Sequence, residues 1–178
     1  MNTTILLIRH AETEKNQEKK ISGQDDSELT IIGLEQARKT AKYLKSLNIS
    51  KIYSSDLGRS YKTASIIGKE LNLNPIQKKE FRENNISIWK DLTKEEIISR
   101  MKEREKKLKL KGFSDEDIRP PKGENTYDHR GRILTGLKDI INIDGTIVIV
   151  AHAGTNKVLL GYLNKMSISK YYEIRQDN

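Results

Sequence analysis

The chain has 178 residues, 35% hydrophobic and 33% charged, with a formal net charge of +8 and no cysteine. That length suffices for one domain with a core, and the missing cysteine excludes disulfides, thiolate catalysis and sulfur-ligated metals. No apolar stretch approaches the roughly 20 residues needed to cross a bilayer, and the N-terminus lacks a basic region followed by a long apolar one. A soluble, cytoplasmic protein with no membrane partner is therefore expected. Its basic charge suits nucleic acid, an anionic membrane or an acidic substrate, but the lysines are spread along the chain and interleaved with glutamates, which favours a solvated surface.

In chain order, TTILLI (3–8) reads as a strand, short and rich in β-branched residues. Residues 33–46 read as a helix with Leu34, Ala37, Ala41 and Leu44 on one face and Thr30 as a helix cap. KIYSS (51–55) is a short strand, 56–71 a helix with Ala64, Ile67 and Leu71 together, and NLNP (72–75) a break. Residues 93–111 form a highly charged helix, followed by a loop over 112–125 stiffened by Pro120-Pro121. Residues 126–141 return to a helix with Ile133, Leu134, Leu137 and Ile140 inward; TIVIVAH (146–152) is the strongest strand, and 155–164 a short helix. Strands separated by helices predict a three-layer α/β/α architecture with a mostly parallel sheet. The continuous apolar run TIVIV suits a central strand covered on both faces. Without repeat or linker, the chain reads as a single domain over 1–178, with a variable helical cap around 80–125.

Two strands end alike. ILLIRHAET and VIVAHAGT each deliver a histidine, then a small residue, then a polar turn. In open α/β sheets, ligands gather beyond the carboxyl ends of the strands. Either histidine alone is more readily a structural residue, but the chain has only three, and His10 and His152 occupy equivalent strand ends. Ala11, Ala153 and Gly154 would let the backbone turn sharply beside a ligand. The third strand runs into SSDLGRS, setting Arg59 near a helix start, where backbone N–H groups already favour an anion. Arg9, Arg59 and two imidazoles together suit a dianionic phosphoryl group.

On these residues the sequence resembles the histidine phosphatase superfamily, the phosphoglycerate-mutase-like proteins. Arg9-His10-Ala11-Glu12-Thr13 matches the family's first motif, and Asn16 the asparagine six residues after the histidine. GQDDSELTIIGLEQA (23–37) is similar to a second segment through Gly23, Asp26, Leu29, Thr30, Gly33, Gln36 and Ala37. IYSSDLGRSYKTA (52–64) matches the segment presenting the second arginine, and GEN (123–125) with Arg132 echoes a Gly-Glu-Ser segment. VAHAGT (150–155) matches the second histidine motif, with Lys157 where arginine is common.

The resemblance implies that His10 attacks phosphorus and carries it transiently, splitting one hard transfer into two. It implies that Arg9, Arg59, Asn16 and His152 surround the phosphoryl oxygens, that Thr13 and Gly23 contact substrate, and that neither a metal nor a cofactor is needed. Beside Arg9 an imidazole is discouraged from taking up a proton. The leaving alkoxide needs an acid. EFRENNISIW offers Glu80 and Glu83, and Glu83 is the better match; a nearby phosphate dianion favours the proton-carrying form of such a carboxyl. Here the segment departs from the family's Glu-x-x-x-Gly-x-Trp-Glu-Gly, with Ser87 for the first glycine and Lys90-Asp91 for Glu-Gly. A second departure is the end at EIRQDN (173–178), where relatives usually add one more strand; either that strand is missing or the gene is truncated, and an absent edge strand would invite association, so a homodimer is one outcome.

Compactness favours a phosphatase acting on a small phosphorylated metabolite over the alternative, a bisphosphoglycerate-dependent phosphoglycerate mutase. A reading of another class, a nucleic-acid-binding protein using helix 93–111, is weakened by few aromatics and by the Glu96–Arg100, Glu103–Lys107 and Glu105–Lys109 pairings. No nucleic-acid partner is expected.

Overall fold

The structure, a computed structural model, describes residues 2–114 and 117–174, apart from the Tyr172 side chain. Ten named elements follow in order: β1 (Thr3–Arg9), α1 (Glu14–Gln17), α2 (Ile31–Leu44), β2 (Ile49–Ser54), α3 (Gly58–Leu71), β3 (Ile76–Gln77), α4 (Lys94–Lys109), α5 (Thr126–Lys138), β4 (Gly145–Ala151) and α6 (Ala153–Leu163). The strands form one sheet in the order β1-β4-β2-β3, and every neighbouring pair is parallel. β4 carries TIVIV and lies between β1 and β2, which explains its unbroken apolar run: Ile147, Val148, Ile149 and Val150 are all fully buried.

Alternation along β4 divides the core into two clusters. Ile147, Ile149 and Ala151 pack with Tyr53, with Ile133, Leu137 and Ile140 from the α5 region, and with Val158 and Leu159 of α6. Val148 and Val150 pack with Ile52, Ala41 and Leu44 of α2, and Ala64 and Ile67 of α3. Helices thus cover both faces, giving the expected three layers. Each buried Val, Leu or Ile contributes about 1.5–3 kcal/mol relative to exposure.

Local chemistry moves several boundaries. α2 starts at Ile31, two residues before expectation, because Thr30 Oγ1 accepts from Gly33 N–H at 2.9 Å. α3 stops where Asn72 turns left-handed, with φ 53°. α4 starts on a reciprocal cap between Thr93 and Glu96. α6 starts at Ala153 rather than 155, which makes His152 its cap residue. The two-residue β3 and the short α1 add to the expected elements.

The region expected to form a cap contains two 3-10 helices, Lys79–Phe81 and Ser87–Trp89, and then α4. Strand-like bonds fix its middle to the loop after α1, Asp91 N–H to Ile21 carbonyl at 3.0 Å and Ile21 N–H to Leu92 carbonyl at 2.9 Å. α4 itself buries no residue. The chain's end beyond residue 174 lies outside the described residues, including most of EIRQDN. Among the described residues, no helix is long and apolar enough to cross a membrane.

Candidate active site

Sheet register brings the two histidines together. Arg9 pairs with Ala151 as the last residue pair of β1 and β4, and His10 N–H still donates to the Ala151 carbonyl at 2.9 Å. One step further, His10 and His152 lie side by side, with ring centroids 5.2 Å apart and planes at 59°. β2 ends at the same level, since Ser55 N–H donates to Val150 carbonyl at 3.0 Å. The turn after it leads into α3 and delivers Arg59.

His10 is held in one tautomer. Its Nδ1 lies 2.8 Å from the Ala11 carbonyl oxygen, which can only accept, so Nδ1 carries the hydrogen and Nε2 carries the lone pair. Arg59 Nε–H points at that lone pair from 3.3 Å. Burial first, then the Arg59 and Arg9 charges, lower the His10 pKa to about 3, against an opposing bond to Ala11. His152 is driven well below its ordinary range by burial and by Arg59. Neutral imidazoles in a cationic surround are the result. Both ring nitrogens of His152 are buried without a hydrogen-bond partner among the described residues. Such orphaned groups cost about 1–3 kcal/mol, and the one N–H of a neutral imidazole suits a phosphoryl oxygen.

Arg59 is almost wholly buried and fixed from behind. Nη1 donates to the Asp25 carbonyl at 2.6 Å and Nη2 to the Gly23 carbonyl at 2.7 Å. The Asp26 carboxylate accepts from the Gly58 N–H and, at 3.0 Å, from the Arg59 N–H. Asp26 thus caps α3, whose own cap residue Leu57 has no side chain to do so. Gly23 has φ +55°, and a Cβ there would meet Ile86 Cγ1 at 2.7 Å, so its local requirement is conformational. The structure therefore puts Gly23 behind the guanidinium. Thr13 and Asn16 cap α1 with each other: Thr13 Oγ1 accepts from Asn16 N–H at 3.3 Å and Asn16 Oδ1 from Thr13 N–H at 3.2 Å. Thr63 Oγ1 accepts from Ala11 N–H at 3.1 Å, pinning the turn after His10.

Glu83 joins the group from the far side. Its Oε2 accepts from Gly154 N–H at 2.9 Å, in the first turn of α6, and its Oε1 from Asn84 N–H at 2.8 Å. A Cβ on Gly154 would overlap the Glu83 carboxylate, so this glycine makes room for it. The Glu83 carbonyl is tied to Gln24 Nε2 at 3.0 Å and Arg132 Nη2 at 3.2 Å. Arg132 in turn grips Glu124 with two bonds of 2.8 Å and the Glu80 carbonyl at 2.8 Å. The other candidate acid, Glu80, packs its side chain toward Gly136 of α5 instead. Lys157, on α6, is pushed down by partial burial and by Lys94.

One residue escaped the sequence reading. His129, the third histidine, is fully buried on α5, with Nε2 4.0 Å from Glu83 Oε1 and 3.4 Å from Thr155 Oγ1. Its signal was present: it precedes Ile133 by four residues, on the inward stripe of the helix. Asp26 matched a family segment but gave no sign that it would cap α3. Among the described residues, no group of three or more His, Asp or Glu is arranged to hold a metal ion.

Comparisons with known proteins place the chain in a family. The chain is 37% identical over 134 residues to a probable phosphoglycerate mutase, GpmB, of Escherichia coli, covering 75% of this chain and 61% of that protein. It is 34% identical over 139 residues to the Enterobacter protein of the same name, covering 78% and 63%. The chain thus spans about three-fifths of the length of these curated relatives. Among solved structures, YhfR of Bacillus stearothermophilus superposes with a TM-score of 0.82 at 26% identity, over 98% of this chain and 86% of that one. A mycobacterial glucosyl-3-phosphoglycerate phosphatase, in complex with VO3, gives 0.79 at 26% identity, over 95% and 85%. The model of the histidine phosphatase superfamily, branch 1, matches residues 5–178. The chain belongs to the histidine phosphatase superfamily.

Proposed function

We propose that the protein is a phosphomonoesterase that acts on a small phosphorylated metabolite through a phosphohistidine on His10. One observation carries the reading: the His10 Nε2 lone pair is unprotonated by construction and faces the Arg59 guanidinium across 3.3 Å. Nε2 attacks phosphorus, the bond from phosphorus to the ester oxygen breaks, and the phosphoryl group passes to His10. Arg9, Arg59 and His152 stabilise the charge on its three peripheral oxygens, and the Asn16 side chain binds one of them. Glu83 gives its proton to the departing oxygen. Its carboxylate then takes a proton from water as that water attacks the phosphohistidine, releasing inorganic phosphate and restoring both groups. Thr13 and Gly23 contribute through the loops they shape around the substrate. Nothing in these steps calls for a metal or cofactor. Residues 1–178 act as one domain in this reading, with 80–125 forming the wall over the site.

Support comes from the names that relatives carry. The sequence relatives are named as mutases and a structural neighbour as a sugar-phosphoglycerate phosphatase. A panel of phosphorylated metabolites, assayed with and without bisphosphoglycerate and with a chelator, tests the reading. We expect phosphate release that is indifferent to both additions. Conversion of 3-phosphoglycerate to 2-phosphoglycerate only with bisphosphoglycerate would establish a mutase instead.

A further inference from the structure

We propose that His129 is a positioning residue for Glu83, donating its Nε2–H toward the buried side of the carboxylate and holding it in line with the departing oxygen. The inference rests on Glu83 being the proton donor. Thr155 Oγ1 donates its hydrogen to the Arg82 carbonyl at 2.9 Å, so it turns a lone pair toward His129 Nε2, 3.4 Å away. Nε2 therefore carries the hydrogen, and Glu83 Oε1 lies 4.0 Å from the same nitrogen. His129 Nδ1 is buried without a partner among the described residues. Burial, aided by the Arg132 charge, keeps the ring below its ordinary pKa against the pull of Glu83 and Glu124, so it stays neutral. His152 is the other titratable group within its electrostatic reach.

The carboxylate is thereby enclosed on three sides. Asn84 N–H holds Oε1, Gly154 N–H holds Oε2, and His129 Nε2 lies 4.0 Å from Oε1. The two backbone donors fix where the oxygens begin. The imidazole comes from α5, an element that supplies neither backbone donor, so it resists rotation of the whole carboxylate about its stem. That restraint matters twice in each turnover, because the same oxygen gives up a proton and later recovers one. An aliphatic side chain in this place would fill the space and leave the buried side of the carboxylate without a donor.

The test compares an alkyl ester, glycerol 2-phosphate, with p-nitrophenyl phosphate, whose leaving group needs little protonation. His129→Leu should lower kcat for glycerol 2-phosphate about tenfold with KM within about twofold, while p-nitrophenyl phosphate changes less than about twofold. His129→Gln, which restores an N–H donor, should recover most of the loss. The aryl substrate also reports that the variants fold. Equal slowing of both substrates, or no slowing of the alkyl ester, overturns the inference. Glu83→Gln separates the two levels: if it spares the alkyl ester, the proton-donor reading itself fails; if it slows that ester selectively while His129→Leu does not, only the role of His129 fails.

Discussion

The carboxyl ends of β1, β2 and β4 and the segment from residue 84 to α4 are both rich in polar side chains, yet they are held in opposite ways. At the strand ends His10, Arg59 and His152 are buried, and His10 and Arg59 are bonded from several elements at once, through the carbonyls of Gly23, Asp25 and Ala11 and the Asp26 carboxylate. In α4 no residue is buried, and its ion pairs, Glu103–Lys107 at 2.6 Å and Glu105–Lys109 at 2.7 Å, lie within the helix and in solvent. Exposed pairs of this kind contribute little, whereas a buried group without its partners costs about 1–3 kcal/mol. The charge that matters to chemistry is therefore the small buried share, and the abundant surface charge is mostly solubility.

That contrast can be broken at its strongest point with Gly154→Ala. The new methyl group would displace the Glu83 carboxylate. We expect kcat for an alkyl phosphate to fall about a hundredfold, with far less effect on p-nitrophenyl phosphate. Unchanged kinetics would mean that Glu83 has no fixed place.

Acid should expose the buried histidines. The unfolded chain takes up a proton on histidine near the ordinary value of 6.5, and folded His10 only near 3. Between those values the unfolded state binds more protons, so the stability contributed by burying neutral His10 is complete above 6.5 and is lost as pH falls toward 3. For His10 the loss between pH 7 and pH 5 is on the order of 2 kcal/mol. His152 and His129 shift in the same direction and add to it. Urea unfolding at the two pH values measures this, and a flat response would contradict the burial of neutral rings.

Two smaller effects sharpen the picture of the other region. Ser87 and Asp91 stand where the family has glycine, and the backbone keeps the glycine conformation, with φ 50° and 66°. Asp91 is additionally paired with Lys15 at 2.7 Å. Ser87→Gly should stabilise the protein by about 1 kcal/mol by relieving the left-handed turn, seen as a rise in Tm; a fall would show that the hydroxyl is needed. Glu103→Ala should change stability by less than about 0.5 kcal/mol, and a larger loss would mean that α4 is held by more than its surface.

Much of this was legible in the sequence, for a physical reason. Apolar runs that end abruptly in Arg-His or Ala-His announce a strand and its active end together, and TIVIV identified the central strand. The parts that escaped had weaker signatures. β3 has two exposed residues and only bridges to Tyr53 and Ser54, too short for any alternation. α6 begins at Ala153, two residues before its apolar pattern, with His152 as its cap residue. His129 was hidden by being a polar residue on an otherwise apolar stripe. Asp26 acts across the chain on α3, and nothing in its own neighbourhood announces that bond.

The covalent intermediate tests the central claim most directly. The protein would be mixed with an excess of a hydrolysed phosphomonoester, denatured in alkali during turnover, and its peptides mapped by mass spectrometry. The account predicts phosphate on His10, acid-labile and stable in base, and absent from His10→Ala, which should also lose turnover. Phosphate on His152 instead, or steady hydrolysis by His10→Ala, would contradict it.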